Sequence, residues 1–322
     1  MKIVFFGTPE FAVASLKALL DNGFEVSAVV TAPDKEAGRG HRLLESDVKK
    51  FAVERGLPLL QPVKLRDPEF IARLREIDAD LFVVIAFRML PEMVWSMPHL
   101  GTFNLHASLL PKFRGAAPIN HAIIQGEKET GVTTFFLQHE IDTGDIIMQR
   151  QISIGEDENV GSLHDRLMAL GAEVTVATAK AIADGTVTTH PQPEGEFTPA
   201  PKIFKETCRI DWRKSAREIH NFVRGLSPYP AAWSTLREKS GKPIDVKIFA
   251  VKPVSKDSYP DAVKSLFETL KPGECSISAK GLYAGAGCGE ILEIIELQPA
   301  GKKRMEASAF ILGYTPDKFD CE

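Results

Sequence analysis

The sequence predicts two domains: a doubly wound, mostly parallel α/β sheet of Rossmann-like type, then a small β-barrel. The first part of the chain alternates short apolar runs with amphipathic segments. Near residue 190 this alternation ends in a proline-rich stretch. Short strand-like segments separated by turn residues follow. Apolar strands between amphipathic helices indicate a parallel sheet covered on both faces, while small, closely spaced β-units are typical of a barrel.

The alternation of the first part runs from residue 2 to residue 185. Strands are expected where apolar runs are short, and helices where apolar residues recur every three to four positions. The predicted strands are 2–7, 24–31, 57–62, 79–87, 101–108 and a hairpin of 130–142 with 144–154. The predicted helices are 11–23, 46–56, 67–78 and 159–185.

The second part begins after a segment with four prolines and little periodicity, HPQPEGEFTPAPKIFKE, which is typical of a linker. A helix is expected at 213–226. The strand candidates that follow are 231–238, 242–254, 273–279, 281–287 and 289–300. The sequence thus predicts an α/β domain over 1–189, a linker over 190–207 and a C-terminal barrel domain over 208–322.

Composition limits the class of protein. With 44% hydrophobic and 25% charged residues in 322, the chain has an ordinary globular composition. The longest apolar runs, such as 81–87, are too short to span a bilayer, and the opening MKIVFFGTPEF predicts a first strand rather than a signal peptide. Residues 206–322 carry a net charge of +2 and the rest −6, a weak indication of a polyanionic partner.

The four cysteines lie far apart and form no CxxC pair. They are Cys208, Cys275, Cys288 and Cys321. Their spacing predicts neither a disulfide framework nor a zinc site, and we expect a cytoplasmic protein with no metal.

The first strand-to-helix turn, Gly7-Thr8-Pro9-Glu10, lacks the glycine pattern of a dinucleotide site. Thr8 is expected to cap the helix, with Pro9 at its first position and Glu10 in its first turn. Because proline offers no N–H to a phosphate, the turn argues against a nucleotide-dependent dehydrogenase.

Asn104 and His106 lie two residues apart in the strand predicted at 101–108, so both side chains point to the same face. They sit at its carboxyl end, where open α/β sheets bind ligands. An amide donor beside an imidazole can stabilise an oxyanion and move a proton. The alternative is a strand end in which both side chains bond to backbone.

A third group could orient His106. Asp142, in the turn EIDTGDI, is the best candidate, although Asp142 and Asp145 are also ordinary turn residues. His121 and His139 are other titratable neighbours, and we interpret both as structural.

The stretch FNLHASLLPKFRGAAPIN (103–120), followed by IDTGD, resembles the formyltransferase family that uses 10-formyltetrahydrofolate. The resemblance implies that Asn104, His106 and Asp142 are the catalytic set. It also implies folate contacts from one loop, Ser108, Leu109, Leu110 and Pro111, and Arg114-Gly115 follow as expected. The folate would lie between that loop and the strand end near Phe87, Arg88 and Leu90.

Within the family, the chain is most similar to members that act on aminoacylated tRNA. The similar segments are FFGTPEFA, APDKEAGRGHRLLESDVK, DWRKSAREIHNFVRGLSPYPAAW and LQPAGKKRMEASAFILGY. The second contains the tRNA-binding candidates Arg39, His41 and Arg42, the last two at positions where the family commonly has lysines. Lys302, Lys303 and Arg304 form another basic site. Both basic segments could instead be merely solvated.

The resemblance implies transfer of a formyl group from 10-formyltetrahydrofolate to the amino group of methionine on initiator methionyl-tRNA, for translation initiation. It also implies that the barrel is OB-like and binds tRNA. We expect a monomer without a membrane partner. Two alternatives are a family member acting on a nucleotide sugar or glycinamide ribonucleotide, and a tRNA-binding protein without catalysis.

Overall fold

The computed structural model describes residues 1–37, 42–193, 197–238, 243–255, 259–313 and 319–321. The chain folds into two compact units. The first unit comprises Met1–Pro118, Thr130–Ile152 and His164–Ala200, and the second comprises Ile119–Glu129, Ser153–Leu163 and Pro201–Glu322.

The elements up to residue 200 follow the predicted alternation. The strands are β1 (Lys2–Gly7), β2 (Glu25–Val30), β3 (Lys35–Ala37), β4 (Arg42–Leu44), β5 (Leu59–Leu60), β6 (Leu81–Ile85), β7 (Thr102–His106), β8 (Arg114–Gly115), β9 (Glu129–Phe136), β10 (Ile146–Ser153) and β11 (Pro199–Ala200). The helices are α1 (Glu10–Asp21), α2 (Asp47–Glu54), α3 (Pro68–Ile77), α4 (Glu92–Trp95), α5 (Pro118–Ile124) and α6 (Val160–Ala183).

The main sheet of the first unit has the strand order β10-β9-β7-β6-β1-β2-β5. Strands β5, β2, β1, β6 and β7 run parallel, whereas β9 is antiparallel to β7. The predicted mostly parallel sheet is confirmed. The chain fills one side of β1 first and then the other, so the strand order reverses between β1 and β6. Ligand crevices form at such a reversal, beyond the carboxyl ends of the strands.

Helices cover both faces of the sheet because its strands carry apolar residues on both faces. In β1, Val4 and Phe6 belong to a core cluster with α3 and α4, and the Phe6 ring lies 5.2 Å from that of Phe82. On α1 and α6, Ser15 and Thr175 are fully buried and joined by a hydrogen bond between their hydroxyl groups.

The start of α1 differs from the prediction. The helix begins at Glu10, Pro9 is its N-cap, and no side chain caps it, so the expected capping by Thr8 is wrong. The Pro9 carbonyl accepts the first turn's hydrogen bond from Ala12 N–H, which places the helix one residue later. Glu10 remains in the first turn, where its charge complements the helix dipole.

Part of the proline-rich segment belongs to the first unit. His190 forms a β-bridge with Ile146, and β11 pairs in parallel with β8. The proline-rich composition does not distinguish a free linker from an extended segment held by hydrogen bonds, because proline favours extended backbone in both cases.

The elements after residue 200 form the second unit's barrel. The helices are α7 (Ala216–Leu226), α8 (Asp261–Lys264), α9 (Leu266–Thr269) and α10 (Ala307–Phe310). The strands are β12 (Ala232–Glu238), β13 (Ile244–Pro253), β14 (Glu274–Ser278), β15 (Gly281–Gly285), β16 (Ile291–Pro299), β17 (Met305–Glu306) and β18 (Phe319–Cys321).

This sheet has the order β13-β12-β18-β14-β15-β16-β17, and β13 also pairs with β16. The additional pairing curls the antiparallel sheet back on itself, as the predicted OB-like barrel requires. Ser215 caps α7 in a capping box with Glu218. The apolar face of α7, including Ile219 and Val223, joins the core cluster that the barrel strands form.

One cysteine departs from the sequence prediction. Cys275 is disulfide-bonded, whereas Cys208 and Cys288 are free. Separation along the chain does not limit contact within a sheet, because β14 and β18 pair with Cys275 opposite Phe319.

Candidate active site

The site begins at the carboxyl end of β7, one strand from the reversal of strand order. Asn104 is half-buried and His106 is 7% exposed. Both residues lie in β7 two positions apart and therefore share a face of the sheet. Among the described residues, the Asn104 amide has no hydrogen-bond partner, so its N–H groups are available to a ligand.

One ring nitrogen of His106 is engaged by the backbone. Its Nε2 lies 2.9 Å from the carbonyl oxygen of Phe113. A carbonyl oxygen can only accept a hydrogen bond, so Nε2 carries the hydrogen, and Nδ1 of the neutral ring is unprotonated. The tautomer is thus assigned by the partner, and Nδ1 is the nitrogen that can accept a proton.

Asp142 lies beside that second nitrogen. Its Oδ2 is 3.9 Å from His106 Nδ1, and the two side chains are 11% and 8% exposed. The same Oδ2 accepts a hydrogen bond of 3.1 Å from the backbone N–H of Gly115. The structure therefore brings the carboxylate and imidazole together at ion-pair distance, although they lie 36 positions apart in the sequence.

The loop predicted to contact folate, residues 108–111, is held by the polar side chains of Thr133 in β9 and Gln149 in β10. The Thr133 hydroxyl donates to the Ser108 carbonyl at 2.7 Å and accepts from Leu110 N–H at 3.2 Å. The Gln149 amide donates to the Leu110 carbonyl and to Thr133 Oγ1, both at 2.9 Å. The peptide bond before Pro111 is cis.

Individual side chains of this loop differ in what they can offer a ligand. Ser108 is fully buried and its hydroxyl donates to the Lys112 carbonyl, and Leu110 is 3% exposed. Leu109 and Pro111 are half-buried. The side chains of Leu109 and Pro111 can therefore face a ligand. Ser108 and Leu110 shape the loop instead, because their backbone groups are engaged by Thr133 and Gln149.

The segment after β6 shows a similar division. Phe87 is half-buried, while Leu90 is 5% exposed and packs within the core. The exposed Arg88 donates to the carbonyl oxygens of Pro62 and Val63, at 2.8 and 3.0 Å, and its guanidinium lies over the Phe87 ring. Arg88 thus joins the segment after β6 to the segment after β5, although β1 and β2 lie between these strands in the sheet.

The basic residues predicted to bind tRNA lie in two places. Arg39 and His41 lie outside the described residues, and Arg42 is described only as backbone in β4. Lys302, Lys303 and Arg304 are exposed in the turn between β16 and β17. The Arg304 guanidinium donates twice to the Glu296 carboxylate and lies 4.2 Å from the Phe249 ring centroid.

The other titratable candidates have partners other than His106 and Asp142. His139 is exposed and pairs with Glu92 at 3.3 Å, and His121 Nε2 contacts the Pro201 carbonyl at 3.0 Å. Asp145 contributes its backbone carbonyl to Phe136 N–H in the hairpin.

Four residues that the sequence did not single out complete the site: Phe113, Thr133, Gln149 and Gln192. They act through backbone atoms or through single polar side chains in otherwise ordinary segments. Alternation in β9 and β10 could show which side chains share a face, but nothing in the sequence shows which loop those side chains meet.

No helix in the described part of the chain has the length and hydropathy needed to span a bilayer. Within the same residues, no three His, Cys, Asp or Glu side chains are grouped as metal ligands.

Comparison with known families gives two matches. Residues 1–179 match the profile of the family described as formyl transferase, and residues 202–315 match that of the formyl transferase C-terminal domain. Methionyl-tRNA formyltransferases from Bacteroides fragilis and Parabacteroides distasonis are each 50% identical, over 318 and 321 residues. The alignments cover 98% of this chain and 95% and 96% of those proteins. The Flavobacterium johnsoniae protein of the same name is 47% identical over 316 residues, covering 98% and 96%.

Solved structures share the fold. An N-formyltransferase from Helicobacter canadensis, in complex with folinic acid and dTDP-3-aminofucose, has a TM-score of 0.64 at 19% identity, covering 93% of this chain and 99% of that one. HypX from Aquifex aeolicus, in complex with tetrahydrofolic acid, has a TM-score of 0.59 at 18% identity, covering 97% and 47%.

Proposed function

The chain belongs to the formyl transferase family, and from that premise we propose that it transfers a formyl group from 10-formyltetrahydrofolate to the methionine of initiator methionyl-tRNA. The observation that carries the proposal is the identity of about 50%, over 98% of the chain, with proteins named for that reaction. The enzyme would supply formylmethionyl-tRNA for translation initiation. Folate compounds are also bound by relatives of the same fold.

Three side chains support the chemistry. The neutral amino group of methionine attacks the formyl carbon, forming a C–N bond and a tetrahedral oxyanion. We assign oxyanion stabilisation to the free amide of Asn104, and to His106 once its ring is protonated, because only then can Nδ1 donate. Asp142 Oδ2 lies 3.9 Å from that nitrogen, at ion-pair distance from the donating ring.

The proton released by the amine must finish on the folate nitrogen that leaves. His106 Nδ1 and the Asp142 carboxylate are the two groups placed to carry it, directly or through water. The bond between the formyl carbon and the folate nitrogen then breaks, and tetrahydrofolate departs. An α-amine titrates near ~8, so little deprotonation is needed at neutral pH, and the scheme uses no covalent enzyme intermediate.

The folate ring would lie between Phe87 and the loop 108–111, with apolar walls and backbone hydrogen-bonding groups that suit a pterin. Since Leu90, Leu110 and Ser108 have buried side chains, we assign their contribution to the shape of the crevice. We propose residues 1–189 as the catalytic domain, 190–207 as its linker and 208–322 as the tRNA-binding domain.

Transfer to a nucleotide sugar or to glycinamide ribonucleotide is not favoured, because the relatives sharing half of the sequence are named for methionyl-tRNA. The sugar formyltransferase structure shares only 19% of its residues and supports the fold alone. A tRNA-binding protein without catalysis is not favoured either, because the distance of 3.9 Å between His106 Nδ1 and Asp142 Oδ2 supports the catalytic roles that we propose for them.

The test is formylation of purified methionyl initiator tRNA with the folate donor, compared with amino sugars and glycinamide ribonucleotide. Formylmethionine on tRNA alone is expected. Binding of tRNA without any formyl transfer would support the non-catalytic alternative. Repeating the assay with Arg39→Ala tests the basic loop, since a loss confined to the tRNA-dependent parameters is expected if Arg39 contacts the acceptor.

A further inference from the structure

The turn that carries Asp142 has an unusual backbone. Asp142 has a φ of 56°, in the left-handed region that residues other than glycine seldom occupy. Two residues later, Gly144 is packed so tightly that an added Cβ would lie 1.7 Å from the Phe136 carbonyl oxygen. Such a conformation persists only where the surroundings hold it.

Gln192 supplies that restraint from a distant part of the chain. Its Nε2 donates to the carbonyl oxygens of Asp142 and Gly144, at 2.8 and 2.9 Å. Its Oε1 accepts a hydrogen bond of 2.6 Å from the Arg114 guanidinium. One amide thus uses both of its donors and its acceptor, and it spans the turn on both sides of Thr143.

The Asp142 side chain is held by β8, the strand that contains Arg114 and Gly115. The backbone N–H of Gly115 donates to Asp142 Oδ2. Gly115 has a φ of 128°, and an added Cβ would lie 2.5 Å from the Ala200 carbonyl oxygen. The backbones of β8 and β11 therefore pack closely at this position. The carboxylate is therefore fixed by Gly115, and the backbone that carries it is fixed by Gln192.

We propose that Gln192 is a positioning residue for the transfer reaction, because it locks the 142–144 turn in the conformation that directs the Asp142 carboxylate toward His106. The proposal rests on the function proposed above. We assign Gln192 no contact with the reacting atoms, and its effect on the reaction passes through the position of Asp142.

Glutamine suits this place by the number of its donors. Glutamate has the same size and could still accept from Arg114, but it would set a carboxylate oxygen against two carbonyl oxygens. Alanine would leave both carbonyl groups and the guanidinium without this partner. Both replacements should release the turn, by repulsion in one case and by loss of hydrogen bonds in the other.

The test compares Gln192→Ala and Gln192→Glu with the control Gln138→Ala, an exposed residue of the preceding loop. For both Gln192 variants, kcat for formyl transfer should fall about 10²-fold, as expected of a displaced catalytic group, while the KM values for folate and tRNA change little. The control should keep the wild-type kcat. Equal kcat in the control and the Gln192 variants would overturn the proposal.

A double-mutant cycle separates positioning from a general structural role. Because Gln192 acts through Asp142, Gln192→Ala should not lower kcat further when Asp142→Ala is already present. A second loss of similar size in that background would contradict the proposal. So would a Gln192 effect confined to the KM values or to thermal stability.

A crystal structure of Gln192→Ala keeps the proposal testable if the wild-type protein transfers no formyl group. In that case the proposed function fails, and the geometry is judged alone. Departure of Asp142 from positive φ, with a longer distance between His106 Nδ1 and Asp142 Oδ2, supports the positioning role. An unchanged turn overturns it.

Discussion

His106 Nδ1 and Asp142 Oδ2 lie 3.9 Å apart, too far for a direct hydrogen bond. This ring nitrogen carries no hydrogen in the neutral imidazole, because Nε2 donates to the Phe113 carbonyl. In the mechanism that we propose, this ring nitrogen is the one that accepts a proton during transfer. The carboxylate meanwhile keeps its own partner, the Gly115 N–H.

Removing any member of the catalytic set should lower turnover without unfolding the protein. We expect Asn104→Ala, His106→Ala and Asp142→Ala each to lower kcat by roughly 10²–10⁴. Single-turnover formylation and thermal melting measure the two properties separately. His139→Ala is the matched control, because His139 is exposed and pairs with Glu92. Near-normal turnover in two of the three variants would remove the assignment.

Gln149→Met should weaken folate binding rather than the chemical step. The substitution keeps the volume but removes both hydrogen bonds that support Leu110 and Thr133. A buried carbonyl left without its donor costs about 1–3 kcal/mol, so the KM for the folate donor should rise about tenfold. Steady-state kinetics with each substrate varied in turn checks this. A change only in the KM for tRNA would contradict the role of the loop.

The basic turn between β16 and β17 should contribute to tRNA binding through its lysines. Replacing Lys302 and Lys303 together with alanine should raise the KM for tRNA and flatten its dependence on salt, because fewer counterions are released on binding. The KM for folate should not change. Titrations at several salt concentrations measure the slope, and an unaltered slope would mean that the turn is merely solvated.

Arg304 in the same turn should behave differently. Its guanidinium is bound to Glu296 and lies over Phe249, so Arg304→Ala should lower the thermal midpoint of the barrel more than the lysine replacements do. Differential scanning fluorimetry of both variants makes the comparison. Equal midpoints would show that these contacts add little stability.

Stability should decrease below neutral pH because of His220. This histidine is 4% exposed; its burial lowers its pKa, and the Arg224 charge adds to that effect, whereas Asp157 opposes it. The unfolded chain therefore takes up the proton at a higher pH than the folded protein does. The contribution is fully present above the ordinary histidine value near ~6.5 and is lost as the pH falls through the lower folded value.

Urea unfolding of wild-type protein and His220→Gln at pH 7.5 and pH 5.5 tests this prediction. The wild type should lose more of its free energy of unfolding between the two pH values than the variant does. Equal losses would show that His220 titrates alike in both states.

The sequence was sufficient for the order of the elements because each strand and helix is specified locally. The run 81–87 is apolar throughout and is flanked by turn residues, and the structure confirms a buried strand there. Barrel strands were predictable for the same reason. The expected capping by Thr8 was wrong, because Pro9 can be either the first residue of a helix or its N-cap. In α1 it is the N-cap.

The rest of the site depends on contacts between distant segments, which local patterns do not encode. Gln192 meets a turn 50 positions earlier in the chain, and Cys275 is disulfide-bonded although its nearest cysteine neighbour in the sequence, Cys288, is free. Thr133 and Gln149 are unremarkable strand residues until the loop at 108–111 is packed against them. Asp142 was the preferred candidate from its turn, although Asp145 is an ordinary turn residue of the same kind, and the resemblance to a family then implied its catalytic role.

The partner of His106 Nε2 is a main-chain carbonyl, and this has a consequence for mutational tolerance. Replacing the Phe113 side chain changes packing but cannot delete that oxygen, so the choice of tautomer survives amino-acid exchange at position 113. Saturation libraries there should recover active variants limited by folding rather than by proton chemistry. The tautomer of His106 therefore does not depend on which side chain occupies position 113. It would depend on it if a side chain, rather than the main chain, accepted the hydrogen bond from Nε2.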